Sequence, residues 1–218
     1  NPLRYKPHHW DVTSNSSPVV AINTIRAFLF MAGLTTDVYS SIDISVAFLQ
    51  SNPYDEDAPK RYVVYKPHRY AAPRYYQLKG SIYGQRSASR QWFDTLAGWL
   101  EEKGYNQQED EPCAFMNHKG FKVLTYVDDL ICRGSQEETD RFYILLGKRF
   151  DCKDYTILSP DNKLAFLGFD ITCNYMNTAD IKDKWTDGMI QNIQVDDKGN
   201  FMMIHMDQSD IIQTYLNT

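Results

Sequence analysis

Two adjacent aspartates, Asp128 and Asp129, stand between apolar arms, Val123-Leu124-Thr125-Tyr126-Val127 before them and Leu130-Ile131-Cys132 after. Turn chemistry at that point predicts a tight hairpin with both carboxylates at its tip. Like charges a few ångströms apart repel and raise one another's pKa, so the tip calls for compensation. A hard divalent cation provides it, because Mg²⁺ takes one or two carboxylates and fills its shell with water and phosphate oxygens. A third carboxylate, Asp43, lies 85 residues upstream in VYSSIDIS. There Val38, Ser40, Ile42 and Ile44 alternate with Tyr39, Ser41 and Asp43, the period of a strand, which turns Asp43 away from the isoleucines. Sharing two cations roughly 3.5–4 Å apart, the three aspartates could lower the pKa of an attacking hydroxyl and stabilise the leaving oxygen of an in-line phosphoryl displacement. The bland alternative is a surface turn, where Asp-Asp is common.

Several elements must position these groups. TSNSSP offers Ser17 as an N-cap and Pro18 as a first helical residue, and Ile22, Ile25, Leu29 and Ala32 share a face, so a helix is expected to about residue 33. RYVVYKP and RYYQLKG are short strand candidates, reached through the acidic, proline-containing loop Ser51 to Lys60. Trp92, Leu96, Trp99 and Leu100 mark a second helix ending before Gly104. A reversal at His118 to Gly120 precedes the aspartate hairpin. Ser135-x-x-Glu138 then forms a capping box for a third helix that buries Phe142, Leu145, Leu146 and Phe150. LAFLGFDITCNY supplies a further strand, Thr178 to Asn200 reads as an insertion or long hairpin, and Phe201 onward begins another element. The order is that of an α+β fold, an antiparallel sheet backed by helices, akin to a split βαβ arrangement.

Composition sets the outer limits. The chain has 218 residues, 43% hydrophobic and 23% charged, enough for one large domain or two small ones. Its longest apolar stretch, Ala27 to Leu34, is far short of the roughly 20 residues of a membrane span, and NPLRYKPHHW has no signal-peptide core, so a soluble intracellular protein is expected with no membrane partner. Cys113, Cys132, Cys152 and Cys173 show neither disulfide nor zinc spacing and read as reduced thiols. The net charge of −5 conceals an asymmetry: Lys60 to Arg90 holds eight Lys or Arg and no acid, a local +8 that leaves −13 for the rest. Tyr62, Tyr65, Tyr70, Tyr75, Tyr76 and Tyr83 are interleaved with those cations, a combination suited to a nucleic-acid strand and equally open to reading as a solvated basic face.

Tyr126-Val127-Asp128-Asp129 resembles the YxDD hairpin of reverse transcriptases, and DISVAFLQ (Asp43 to Gln50) resembles their other metal-binding motif. SPVV with its TIRAFLFMA helix, DISVAFL, SIYGQRSASRQW, YVDDLI and FLGFDI, in that order, are similar to the polymerase region of Copia-type LTR retrotransposons, over Ser17 to Tyr175 and more faintly Phe201 to Leu216. The resemblance implies a reverse-transcriptase palm with partial fingers: residues 1–40 partial fingers and first helix, 41–50 a palm strand, 51–90 fingers, 91–175 palm with hairpin and primer grip, and 176–218 an insertion and the start of a thumb. It implies two Mg²⁺ ions, or Mn²⁺ in their place, held by Asp43, Asp128, Asp129 and the main chain of Ile44.

Ser45, Val46 and Ala47 would face the incoming triphosphate, and Phe48 would block a ribose 2′-hydroxyl, which implies dNTP as substrate. Outside the motif Phe48 would be an ordinary core residue. Tyr83, Gly84 and Arg86 would edge the nucleotide pocket, and Phe166, Leu167 and Gly168 would form the primer grip, although FLG is also compatible with a plain bulged core strand. Lys153 would be the general acid for pyrophosphate. Lys60, Arg61, Lys66, Arg69, Arg74 and Lys79 would meet an RNA or DNA template.

The family usually reads YGLKQAP where this chain has Tyr83-Gly84-Gln85-Arg86-Ser87-Ala88-Ser89. By the resemblance the chain is expected to begin after the family's basic fingers strand, with Arg4 and Lys6 a remnant, and no full thumb, connection or RNase H is expected to follow Thr218. The expected partners are thus a template-primer and the remainder of a Pol polyprotein, integrase and RNase H included, in a cytoplasmic virus-like particle and the nucleus. The competing expectations are a decayed or domesticated palm serving as an RNA-binding or interaction module, and a palm-type nucleotidyl cyclase.

Overall fold

A computed structural model describes residues 16–69, 71–181 and 193–208. Helix α1 is Ile22–Phe30, extended by a 3₁₀ turn over Met31–Gly33. Strand β1 is Val38–Asp43, and a 3₁₀ turn follows over Ala47–Gln50. Next come β2 (Tyr62–Tyr65), β3 (Arg74–Gln77) and helix α2 (Ala88–Glu102). After these lie β4 (Asn106–Gln107), β5 (Ala114–Met116), β6 (Lys122–Tyr126), β7 (Asp129–Gly134) and helix α3 (Gln136–Gly147). The chain continues with β8 (Thr156–Ile157), β9 (Leu164–Phe166), β10 (Phe169–Asn177) and β11 (Asn200–Asp207). This is the expected α+β layout with antiparallel sheets. Among the described residues no helix is long and apolar enough to cross a membrane. All four cysteines are free thiols; Cys113, Cys132 and Cys173 are buried.

Two compact units form. One comprises Val46–Trp99 with the chain up to Pro18, the other Val19–Ser45 with Leu100–Thr218. The second holds a six-stranded sheet ordered β4-β5-β6-β7-β1-β8 and a three-stranded sheet β11-β10-β9. β1 pairs antiparallel with both β7 and β8, so the strand carrying Asp43 lies inside the sheet. α1 packs on it: the Tyr39 hydroxyl donates to the Phe28 carbonyl (3.1 Å), and the rings meet edge to face at 5.7 Å. Tyr39 is fully buried although it shares a face with Asp43, so that face is covered at the α1 end. Opposite Tyr39, the buried Arg133 pairs with Asp37 (3.4 Å) and lies over the Phe28 ring. Tyr105, Phe121 and Phe142 form an aromatic cluster with centroids 5.2–6.1 Å apart. The other unit contains the β2–β3 ribbon.

Several expectations need correction. α1 does not start at Ser17, whose hydroxyl instead donates to the Pro18 carbonyl (3.2 Å). The helix begins after Ala21, its N-cap residue, and that end is tied to a distant carboxylate: Ala21 N–H and the Thr24 hydroxyl both donate to Glu111 Oε2, at 3.1 and 2.9 Å. A carboxylate there also suits the positive end of the helix dipole. The capping box of α3 is half formed, since Ser135 Oγ accepts from Glu138 N–H (3.2 Å) while the Glu138 carboxylate goes to Asn117 and Lys119 (2.7 and 2.6 Å). Leu145 is only partly buried. LAFLGFDITCNY is not one strand but a hairpin, β9 and β10, turning at Leu167-Gly168. β10 and β11 pair from Asp170↔Asp207 to Asn177↔Asn200, so the stretch between them is the connection of a long hairpin, with 182–192 outside the described residues. The thumb-like start is strand over Asn200–Asp207, and 209–218, like Arg4 and Lys6, lie outside the description.

The distant cap generates a prediction. Glu111→Ala removes the acceptor of the Ala21 N–H and the Thr24 hydroxyl at the start of α1 and is expected to lower unfolding free energy by about 1 kcal/mol, with Glu111→Gln costing less. A denaturant midpoint unchanged in Glu111→Ala would contradict this account of how α1 begins.

Candidate active site

The β6–β7 hairpin is as tight as its sequence demands. Tyr126 pairs with Asp129, which leaves Val127-Asp128 as a two-residue loop. Asp128 therefore sits in the loop and Asp129 is the first residue of β7, rather than both occupying the tip. Val127 has φ 54°, a conformation β-branched residues avoid. Positive φ at the first of two loop positions is the type II′ pattern, which fits the twist of a hairpin but favours glycine.

The pairing of β1 with β7 decides the site. Asp43 stands directly opposite Asp129 in the antiparallel register, one step beyond Ile42↔Leu130. Directly opposed residues share a face, so two carboxylates 86 positions apart in sequence project together. Ile42 and Leu130 are buried, while Asp43 and Asp129 are each half-exposed. The loop is tied in as well, because Ile44 N–H donates to the Asp128 carbonyl (3.0 Å). Burial pushes Asp129 up to about 6, with the negative charges of Asp128 and Asp43 adding to the shift. The Leu167 backbone N–H, hydrogen-bonded to Asp129, works against that rise.

On its other side Asp43 faces Lys153. Ser45 N–H donates to the Asp151 carbonyl (2.9 Å), Ile44 bridges Cys152 in antiparallel fashion, and Lys153 N–H donates to the Asp43 carbonyl (3.0 Å). This short ladder sets Lys153 opposite Asp43, and Lys153 Nζ reaches Asp43 Oδ2 at 2.9 Å. The hydrogen bond and charge of Asp43 push the Lys153 pKa up. Across three neighbouring backbone segments the row therefore reads Asp129, Asp43, Lys153.

A profile described as "Reverse transcriptase (RNA-dependent DNA polymerase)" matches residues 5–206 of this chain. The chain belongs to the reverse transcriptase family. It is 28% identical, over 151 residues and 63% of its length, to the retrovirus-related Pol polyprotein from transposon TNT 1-94 of Nicotiana tabacum, of which it covers 11%. It is 24% identical over 163 residues, 71% of the chain, to the transposon Ty1-ER2 Gag-Pol polyprotein of Saccharomyces cerevisiae, covering 9%. A truncated Ty1-A Gag-Pol polyprotein of the same yeast is 25% identical over 158 residues, with 68% of the chain and 13% of the polyprotein covered. The chain thus spans about a tenth of the length of these relatives, and their transposon origin agrees with the Copia-type resemblance read from its motifs.

The donor chemistry fits the hard divalent cation on which reverse transcriptases rely, since the groups brought together offer oxygen alone and repel one another. Among the described residues no three His, Cys, Asp or Glu side chains are gathered to hold an ion as they stand. Asp43 is engaged by Lys153 instead, Nζ to Oδ2 at 2.9 Å.

The remaining expected site residues fall into two groups. Phe166, Leu167 and Gly168 form the β9–β10 turn, with Phe166 paired to Phe169 and positive φ at both Leu167 (52°) and Gly168 (73°). Phe166 is buried, and Leu167 N–H supplies the bond to Asp129 noted above. In the other unit Val46 is exposed with φ 41°, Ala47 is buried, and Phe48 is half-buried against Tyr83, ring centroids 4.8 Å apart. Leu49 beside it is 56% exposed. A Cβ on Gly84 would meet nothing within 4 Å; the glycine is required by φ 87°, not by crowding within the chain. Arg86 is exposed. Gln85 Oε1 accepts from the Tyr54 hydroxyl (2.8 Å) and Ile82 N–H (3.1 Å), and Ser87 Oγ accepts from Arg61 (3.3 Å). These bonds give local roles to two positions of the segment that departs from YGLKQAP.

The basic stretch includes a two-stranded ribbon with Tyr62, Tyr65, Tyr75 and Tyr76 each about half or more exposed. Lys60, Lys66, Arg69, Arg74 and Lys79 are exposed, while Arg61 stacks over the Tyr54 ring at 4.4 Å. Tyr70 lies outside the described residues. Sequence reasoning missed the Leu167 amide and the pairing of Asp43 with Lys153, since neither a backbone donor in a turn nor a bridge between segments 110 residues apart carries a local signature.

A pH dependence follows for the metal-free protein. Asp129 titrates higher folded (about 6) than its ordinary 3.8, so the folded state binds the proton more tightly. Stability is then greatest below about 4 for this group and falls as pH rises from about 4 to 6. Asp129→Asn is expected to abolish that component and raise the melting temperature in chelator at pH 7 to 8; an equal or lower value would argue against a cost of ionising Asp129 in the folded state.

Proposed function

We propose that this chain is the catalytic palm, with part of the fingers, of an RNA-directed DNA polymerase that transfers dNMP from dNTP to a primer 3′-hydroxyl on an RNA or DNA template. The observation that carries the reading is the opposition of Asp43 and Asp129 on one sheet face beside the Asp128 loop. A pair of Mg²⁺ ions, replaceable by Mn²⁺, would supply Lewis acidity for deprotonating the attacking hydroxyl and for charge on the leaving oxygen. Asp43, Asp128 and Asp129 are the residues we assign to hold them, with the carbonyl of Ile44. Lys153 is assigned as proton donor to the departing pyrophosphate.

The remaining roles are assigned by chemistry. Phe48, stiffened by its contact with Tyr83, is the group that would exclude a 2′-hydroxyl. Ser45, Val46 and Ala47 are assigned to the triphosphate by their main chain, with Tyr83, Gly84 and Arg86 at the pocket edge. The Phe166-Leu167-Gly168 turn is assigned to the primer. The β2–β3 ribbon, with its exposed tyrosines and the cations Lys60, Arg61, Lys66, Arg69, Arg74 and Lys79, suits a template backbone and unpaired bases, so binding should weaken steeply with salt. The rest of a Pol polyprotein, integrase and RNase H among it, is the expected partner.

Primer extension on an RNA template with dNTPs and Mg²⁺ or Mn²⁺ tests the reading. Wild type is expected to extend the primer and Asp128→Asn to lose at least about 10²-fold; retained activity in the mutant, or RNA binding without extension in both, would reject it. Phe48→Val or Phe48→Ala is expected to admit ribonucleotides, seen as extension with rNTPs. Unchanged sugar discrimination in an active variant would remove Phe48 from that role.

A further inference from the structure

The carboxylate row has a neighbour of opposite charge that is built in by the backbone. The segment Asp151 to Lys153 is fastened alongside Asp43 to Ser45 by two main-chain hydrogen bonds and the Ile44–Cys152 bridge. Lys153 is thereby fixed as the residue opposite Asp43, as Asp129 is on the other side. Its ammonium lies 2.9 Å from Asp43 Oδ2, and the backbone N–H of Leu167 bonds the neighbouring Asp129. Each of these two carboxylates is thus met by a donor of the chain itself.

We propose that Lys153 is the resident counter-ion of Asp43, which a divalent cation must displace before Asp43 can act as its ligand. The inference rests on the metal-binding assignment made above and adds an exchange to it. A hard dication and an ammonium compete for the same oxygen, and the ammonium is a strongly hydrated point charge on a flexible stem, able to leave for solvent without moving the backbone. Lys153 is 67% exposed at its side chain and Asp43 39%, which makes the exchange open to water and the pair individually weak. Lys153 therefore offsets part of the negative charge at Asp43 while no metal is bound and sets a modest threshold for metal entry.

The experiment is a Mn²⁺ titration of the full 218-residue chain followed by electron paramagnetic resonance of the free ion, for wild type, Lys153→Met, Lys153→Gln and Asp43→Asn, each first checked for a cooperative thermal transition. With the competitor gone, Lys153→Met and Lys153→Gln are expected to bind Mn²⁺ about two- to fivefold more tightly than wild type, the range set by an exposed ion pair. Asp43→Asn is expected to bind more weakly. Unchanged or weaker binding in both folded lysine variants, with Asp43→Asn still impaired, overturns the exchange and leaves the metal assignment standing. Absence of Mn²⁺ binding in wild type, or binding indifferent to Asp43→Asn, overturns both.

Discussion

Negative charge concentrated on one open end of a sheet face is the constraint around which this protein is arranged. Asp43 and Asp129 are made neighbours by antiparallel register, and register cannot slip by one residue without turning Ile42 and Leu130 out of the core. The burial of those two side chains therefore fixes the carboxylates together against their repulsion. The cost is visible in the raised pKa of Asp129. It is offset on one side by the Lys153 ammonium and on the other by the Leu167 amide, and the chemistry proposed for a reverse transcriptase would replace those partners by cations.

A second cost is paid in the backbone. The non-glycine residues with positive φ among those described are Val46, Val127 and Leu167, all bulky and apolar, a conformation worth of order 1–3 kcal/mol of strain each. Val127 immediately precedes Asp128, Leu167 donates its N–H to Asp129, and Val46 leads into the 3₁₀ turn that carries Phe48. Glycine would relieve the strain at each position but would loosen the turn. Strain held at such turns is a pre-organising device, since the neighbouring ladders over-determine the loop and the loop in turn aims a specific group.

Much of this was legible in the sequence. Period-two alternation in VYSSIDIS gave β1 and the outward turn of Asp43, and the apolar arms around Asp128-Asp129 gave the hairpin. Helical spacing of Trp92, Leu96, Trp99 and Leu100 gave α2. The failures share one cause, which is partnership at a distance. Ser17 looked like a cap because a local rule favours it, yet Glu111, 90 positions from Ala21, supplies the acceptor. Glu138 looked like the second half of a capping box until Lys119 and Asn117 took its carboxylate. LAFLGFDITCNY looked like one strand because Leu167 is a poor turn residue by propensity, and only the pairing of Phe166 with Phe169 reveals the hairpin. The Asp43–Lys153 pair belongs to the same class.

The central claim is that Asp43, Asp128 and Asp129 form one divalent-cation site. Anomalous diffraction from crystals grown with Mn²⁺ addresses it most directly. Manganese is expected at about 2.1 Å from carboxylate oxygens of Asp43 and of the Asp128-Asp129 pair, by analogy with Mg²⁺ distances, with Lys153 Nζ withdrawn from Asp43. Crystals that hold manganese elsewhere, or none at all, while Asp43 keeps its ion pair with Lys153, would contradict the account.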